Sequence, residues 1–315
     1  MSTKSRLLEL LEQETGSYLS GEMLAEKLQV SRTAVWKAIQ SLRQEGYEIQ
    51  AVTNKGYVLD KASDVLSAEA IRCGLEHPEV TVQVFREIPS TSLAMKQMAL
   101  EGGVPHGSVV AANEQTRGKG RKGRKFYSPK DSGLYLSVLL YPQKTVKESL
   151  ELTAEAAVAV CRAVEECCKI SLGIKWVNDL YLEEKKVCGI LTEAVTDFET
   201  GDIEFAVIGI GLNLKLPKGG FPEEIQEKAG AVLTEAKSVD RNRLAAAIVN
   251  ELLKETEKKG IPQEYIVPGR TNCIVQENRR RVVKAKEILP DGRLRICNEQ
   301  GQEELLSGAD VSLEL

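Results

Sequence analysis

The chain has 315 residues, too many for one small domain and enough for two or three. Its apolar content of 42% and charged content of 28% suit a chain that buries a sizeable core, and no run of eighteen apolar residues marks a membrane span. A net charge of −4 excludes general attraction to nucleic acid, so any such contact has to come from a local patch or from base reading.

Residues 4–13 place Leu7, Leu8, Leu10 and Leu11 on a helical period. Ser20 is set to cap a second helix, with Glu22 in its first turn and Met23, Leu24, Ala25 and Leu28 behind it. Ser31 caps a third over 32–44, whose apolar stripe is Val35, Ile39 and Leu42 and whose stop is Gly46. Two helices around a tight turn, the second with a polar outer face, form a helix-turn-helix pattern. The alternating stretch 47–52, a turn at 53–56 and the return at 57–59 supply the hairpin of a winged helix. Residues 1–62 are therefore expected to be a DNA-binding domain, against the plainer reading of a three-helix protein-interaction module. Charge does not decide, because seven basic residues over 1–59 balance seven acidic ones. Placement does help: Ser31, Arg32, Thr33, Lys37 and Gln40 lie at the start and along the outer face of the third helix, where phosphates and base edges are met. Trp36 either packs under the wing or faces DNA.

A polar linker is expected over 60–64, a short capped helix over 67–75 and a strand over 80–88. Ser90 and Thr91 cap a helix over 93–100. Strands follow at 109–112 and 134–141, then a long amphipathic helix over 150–168 that packs on a sheet. Further strands are expected at 170–177, 180–182, 187–193 and 205–213, with a hairpin turn at 183–186. This order is mixed α+β without regular βαβ alternation, which disfavours a doubly wound sheet. Asp240 caps a helix over 241–258, and after Pro268-Gly269 short strands at 273–275, 281–288, 293–298, 303–306 and 311–313 read as a small β-barrel, with turns at Pro290-Asp291-Gly292 and 298–301.

The seven cysteines are odd in number and lack a CxxC spacing, which fits free thiols in a reducing cytoplasm, and the N-terminus does not read as a signal peptide. The two histidines, His77 and His106, sit in no ligand-like cluster and are expected at the surface, so no protein-built metal site is expected.

The distinctive stretch is 115–125, Gln-Thr-Arg-Gly-Lys-Gly-Arg-Lys-Gly-Arg-Lys, with six cations and no acid. Its glycines deny it a stable helix, and their backbone amides among Arg and Lys heads form a cradle for phosphate. It lacks GxxxxGK[ST] and is not a Walker A loop. By charge alone it is a solvated basic loop or a nucleic-acid patch. The pattern resembles the ligand-binding loop of biotin protein ligases. Lys175-Trp176-Val177-Asn178-Asp179 is similar to their Lys-Trp-Pro-Asn-Asp motif, and Gly189-Ile190-Leu191-Thr192-Glu193 and Gly209-Ile210-Gly211-Leu212-Asn213 follow in the family's order. With the N-terminal segment, the resemblance covers nearly the whole chain and points to the bifunctional form, a ligase that is also the biotin operon repressor.

The resemblance implies a central ligase domain over 63–267 like class II synthetase folds and a C-terminal SH3-like barrel over 268–315. It implies two substrates, biotin and ATP with Mg2+, joined as biotinyl-5′-AMP, and transfer of biotin to a lysine of a biotin carboxyl carrier domain. A carboxylate meeting an α-phosphate brings two anions together, and cations have to neutralise them. Lys175 and Arg121 are expected at that junction. Ser90, Thr91, Ser92, Gln115, Gly118, Lys119, Gly120 and Gly189 are expected around biotin, and Arg124, Asn178 and Asn213 around ATP. Residues 216–221 resemble the family's adenylate-covering segment. The sequence departs from the family at Ser92 (usually Asn), Lys119 (usually Arg, so the bidentate fork is lost) and Val177 (usually Pro). Operator DNA of biotin genes and a ligand-promoted homodimer are the implied partners, with no membrane. The alternatives are a lipoate- or other acyl-protein ligase, a ligand-sensing regulator without ligase activity, and a nucleic-acid enzyme gripping through the basic loop.

Overall fold

The computed structural model describes all residues except 1, 15, 61–64, 78, 146–148, 198, 235–237, 259–270, 277–278, 290–292, 307–310 and 315. The expected linker core, both expected domain boundaries, Pro268-Gly269 and the turn Pro290-Asp291-Gly292 lie outside the described residues. The chain divides into two compact units, Met1–Pro78 with Val239–Ala246, and Glu79–Ser238 with Ala247–Leu315.

In the first unit, α1 (Thr3–Gln13), α2 (Gly21–Leu28) and α3 (Arg32–Gln44) enclose Leu7, Leu11, Leu24, Ile39 and Leu42. The caps are those the sequence offers: Ser20 Oγ accepts from Met23 N at 3.1 Å and Ser31 Oγ from Ala34 N at 3.2 Å. Gly46, at φ 102°, turns the chain out of α3. The antiparallel hairpin β1 (Ile49–Val52) and β2 (Gly56–Leu59) follows, and Tyr57 exchanges two 2.8 Å backbone hydrogen bonds with Leu19. That contact requires glycine at 56, since a Cβ there would lie 2.1 Å from Leu19 O and φ is +107°. Trp36 is 52% exposed, so it does not pack under the wing. The short helix α4 (Ala68–Cys73) is capped by Ser67 and packs on α1.

The second unit carries a seven-stranded sheet in the order β3-β4-β5-β9-β8-β7-β6. Its strands are β3 (Val82–Phe85), β4 (Val109–Ala112), β5 (Gly133–Leu140), β6 (Gly173–Lys175), β7 (Asp179–Leu182), β8 (Lys185–Thr196) and β9 (Ile203–Asn213). Only β3 and β4 run parallel. The helices α5 (Thr91–Glu101) and α6 (Ser149–Cys168) cover opposite faces: Ser92 of α5 stands over Gly209, whereas Thr153 of α6 bonds Thr192 at 2.7 Å, and residues 191 and 192 point to opposite sides. A further helix, α7 (Arg241–Thr256), has its first amides, Asn242 N and Arg243 N, held by Asp240 Oδ1. The turn between β7 and β8 is tighter than the expected 183–186. Glu183 adopts φ 54°, so Lys185 and Lys186 belong to the strand. The strand expected at 170–177 shrinks to β6.

The C-terminal strands β10 (Thr271–Gln276), β11 (Arg279–Ile288), β12 (Leu294–Asn298), β13 (Glu303–Leu306) and β14 (Val311–Glu314) form a small antiparallel sheet in the order β13-β12-β11-β10-β14. No helix among the described residues is long and apolar enough to cross a membrane.

Candidate active site

One cross-strand row of the central sheet organises the site. Lys175, Asp179, Gly189, Gly211 and Tyr135 are successive partners from β6 through β7, β8 and β9 to β5. Directly paired residues share a face, so these side chains stand on the side of the sheet that carries α5. The two glycines leave a trough, and the Phe126 ring lies in it. A Cβ at Gly211 would sit 2.5 Å from Phe126 Cε1, and one at Gly189 3.2 Å from Cε2. Two residues along, Gly209 lengthens the trough; its Cβ would meet Ser92 Oγ at 2.4 Å.

At that end a chain of buried hydroxyls closes the trough. Ser92 Oγ lies 3.1 Å from Ser137 Oγ, and Ser137 donates to Thr91 Oγ1 at 2.8 Å. Gln115 Oε1 accepts from Thr91 N at 2.9 Å and from Thr91 Oγ1 at 3.2 Å, while Gln115 Nε2 donates to Ser128 Oγ at 3.0 Å. Ser90 caps α5, its Oγ accepting from Leu93 N at 3.4 Å.

The basic loop borders the other end. It folds as a narrow hairpin: Phe126 N donates to Gly118 O at 2.9 Å, Gly120 N to Arg124 O at 2.8 Å, and Arg121–Gly123 makes one 3-10 turn at the tip. Gly118 is buried against Phe126 O and Ser128 Oγ, with no room for a Cβ. The loop and the strands enclose a cleft of roughly 150 Å3. Lys119, Gly120, Arg121, Arg124, Asn178 and Gly189 line it, as do Lys122, Lys125, Phe126, Asp179 and Lys186. Arg121 Nη1 donates to Asn178 Oδ1 at 3.1 Å, and Asn178 is fixed by a pair of bonds to Ile190: Nδ2 to Ile190 O at 3.0 Å and Ile190 N to Asn178 O at 2.8 Å.

Two of the expected residues are not in the wall of this cleft. Lys175 is not among the lining residues; its Nζ lies 5.2 Å above the Tyr181 ring, whose hydroxyl burial, reinforced by the Asp179 charge, pushes up to about 12. The sheet-borne lysine that lines the cleft is Lys186, paired to Asp179 at 2.6 Å. A bulge puts it there. The β7–β8 register shifts between Leu180 and Tyr181, which leaves Val187 as an extra residue and brings Lys186 to the Gly189 side. A Cβ on Gly189 would lie 3.3 Å from Lys186 Nζ. Asn213 is buried outside the cleft, donating to Gly230 O at 3.0 Å. Ser137, which no motif marks, is the one serine in the otherwise apolar run of β5 and is fully buried. His77 and His106 are exposed, and Cys73, Cys161, Cys167, Cys168, Cys188 and Cys297 are in no disulfide.

Comparison with known proteins fits this geometry. The biotin/lipoate A/B protein ligase family matches residues 84–213, and an HTH domain matches 3–58. The bifunctional ligase/repressor BirA of Bacillus subtilis is 35% identical over 84% of this chain and 80% of its own length. The chain belongs to the bifunctional ligase/repressor BirA family. The Escherichia coli member is 33% identical over 78% of this chain and 75% of its own. Among solved structures of related ligases, the biotin protein ligase of Aquifex aeolicus in complex with biotin and ATP superposes with a TM-score of 0.62 at 27% identity, covering 74% of this chain and 98% of that one.

Proposed function

We propose that this protein joins biotin and ATP into biotinyl-5′-AMP, transfers the biotinyl group to a lysine of a biotin carboxyl carrier domain, and represses biotin synthesis and uptake genes in response to biotin. The observation that carries the ligase reading is the order of groups along one face of the sheet: uncharged hydroxyls at one end, the Phe126 ring packed on the glycine floor, and a cationic cleft at the other. A ureido ring needs donors and acceptors, an alkyl chain needs an apolar wall such as that ring, and a carboxylate needs cations.

In the first step the biotin carboxylate oxygen bonds to the α-phosphorus of ATP, and pyrophosphate leaves. Arg121 and Lys186 are our candidates for the charge at that junction, with Lys175 adding its charge from across Asp179. Ser90, Thr91, Ser92 and Gln115 hold the ureido end, and Gly118, Lys119, Gly120 and Gly189 shape the chain between. Arg124 and Asn178 take the nucleotide side, and Asn213 contributes through the segment it anchors at Gly230. Asp179 is the one carboxylate lining the cleft, and Lys186 already holds it. The residues present therefore fit Mg2+ as the partner of the ATP phosphates rather than as an ion held by protein ligands. In the second step the carrier's lysine amine attacks the acyl carbon and AMP leaves, so the enzyme supplies no nucleophile of its own.

The reading includes finer points: limits of 1–62, 63–267 and 268–315 for the winged helix, ligase and C-terminal domains, a class II synthetase-like centre, SH3-like closure of the C-terminal sheet, a ligand-promoted homodimer and a cytoplasmic location. Ser31, Arg32, Thr33, Lys37 and Gln40 meet the operator. All five stand at the solvent side of α3 or its cap, and Val35, Ala38, Ile39 and Leu42 fill the buried side.

The test is incubation with biotin, Mg-ATP and a biotin carrier domain. A biotin-sized mass gain on the carrier is expected, together with biotin-dependent ATP–pyrophosphate exchange. Exchange driven by lipoate and not by biotin would move the protein to the other acyl ligases. DNA binding without any exchange would leave a regulator alone.

A further inference from the structure

The chain has two tryptophans, and they are placed very differently. Trp176 is 7% exposed, in the turn between β6 and β7. Trp36 is 52% exposed, in the second turn of α3. Its neighbours on the helix surface are Arg32 and Thr33 one turn earlier and Gln40 one turn later, with Lys37 beside it. The helix contains no Asp or Glu. Arg43 is engaged, its Nε donating to Ile49 O at 2.8 Å, which leaves the two exposed cations Arg32 and Lys37 flanking the indole. A single exposed apolar side chain is ordinary. A large indole between cations and amides, on the second helix of a helix-turn-helix and on the side away from the core, has one fitting counterpart. That counterpart is an anionic surface that also offers apolar groups.

The DNA major groove is such a surface. Phosphates meet Arg32 and Lys37, and the only apolar group the groove presents is the C5-methyl of thymine. The indole has one polar atom, a donor, and is otherwise an apolar plate. Resting on the reading of this unit as a DNA-binding domain, we propose that Trp36 is a specificity-determining residue that reads thymine by contact with its C5-methyl group. Arg32 and Lys37 then supply affinity that does not depend on sequence, and Trp36 supplies a preference at one step of each half-site.

The experiment uses the full chain with biotin and Mg-ATP. A duplex is selected from a random pool, and each thymine is then replaced by deoxyuridine, which pairs identically and lacks only the methyl. Wild type is expected to lose about three- to tenfold in affinity at one or two positions per half-site, the worth of one or two buried methyl contacts. Trp36→Ala is expected to lose the same factor on the thymine duplex and to be indifferent to uridine at those positions. Lys37→Ala should weaken all duplexes alike and flatten the salt dependence. A thermal melt of Trp36→Ala establishes that the fold is kept; Trp36→Leu, which retains an apolar contact, should fall between the two. The proposal is overturned if Trp36→Ala keeps the same uridine sensitivity as wild type, if wild type has none, or if Trp36→Ala changes self-association with no change in base preference. If wild type selects no duplex at all, the DNA-binding reading itself falls, and this proposal with it.

Discussion

Gly211→Ala adds one methyl at the centre of the trough. A Cβ at that position would lie 2.5, 2.7 and 2.9 Å from Cε1, Cζ and Cδ1 of Phe126. Carbon atoms pack at roughly 3.5–4.0 Å, so the ring has to retreat by about 1 Å. It is poorly placed to do so. Phe126 is tied through its backbone N to Gly118 O at 2.9 Å and through its carbonyl to Ser128 Oγ at 3.2 Å, and its ring meets Tyr135 edge-on at 6.5 Å between centroids. Overpacking of this kind costs about 1–3 kcal/mol, part of it the aromatic pair. For a unit of this size that is a fall of roughly 2–10 °C in melting temperature. Phe126 is also where the basic loop returns to the sheet, so the displacement should reach the cleft and raise the KM for biotin. Calorimetry and biotin-dependent ATP–pyrophosphate exchange measure both effects. Phe126→Leu in the Gly211→Ala background, with a smaller side chain over the new methyl, should recover part of the stability. A single variant as stable as wild type, or a double variant no better than the single, would refute the clash as the cause.

Two further outcomes follow from charges. Lys186→Ala should lower biotinyl-adenylate formation by about two orders of magnitude, because it removes a cleft cation and leaves Asp179 uncompensated; Lys175→Ala should cost less, and pyrophosphate exchange giving the reverse order would overturn the ranking. Glu12 is raised from the ordinary carboxylate range to about 7 by burial first, then by Asp240 and Glu69, so its proton is held more tightly folded than unfolded. That stabilisation is complete below about pH 4.5 and lost as pH rises through 7, so the opening free energy of α1 amides, taken after correction for base-catalysed intrinsic exchange, should be lower at pH 8 than at pH 5 by about 1–2 kcal/mol after solvent screening; Glu12→Gln should remove that difference in opening free energy, and a difference kept in the variant would exclude Glu12 as its source.

Much of the fold is legible along the chain because its signals are local. The spans of α3 and β4 match the structure end for end, and α1, α2 and α5 lie within two residues of it at each visible start. Serine caps and glycine stops act within one turn of where they stand, so Ser20, Ser31, Ser67 and Ser90 could be read singly. Strand limits are less legible where pairing rather than composition decides them. β6 keeps three residues of an expected eight because its partner β7 offers only Tyr181, Leu180 and Asp179. β8 gains Lys185 and Lys186 because the turn before it closes in two residues.

The candidate site shows the same division more sharply. Gln115, Gly118, Arg121 and Asn178 stand out as motifs, since each sits in a short stretch whose composition is unusual in itself. Lys186 does not, because its place beside the cleft is a matter of register. In a regular ladder, residues 186 and 189 point to opposite faces. The single unpaired residue Val187 reverses that, and a cation that would otherwise have faced away stands beside Gly189 and Asp179. Lys175 is paired directly with Asp179 and needs no such shift to share the face, yet its position on the outermost strand puts it over Tyr181. The bulge thus adds a second lysine, Lys186, to the face on which Lys175 already stands. A motif names the residue types that chemistry requires, but which side chains come to share one face of the sheet is decided by the pairing of strands.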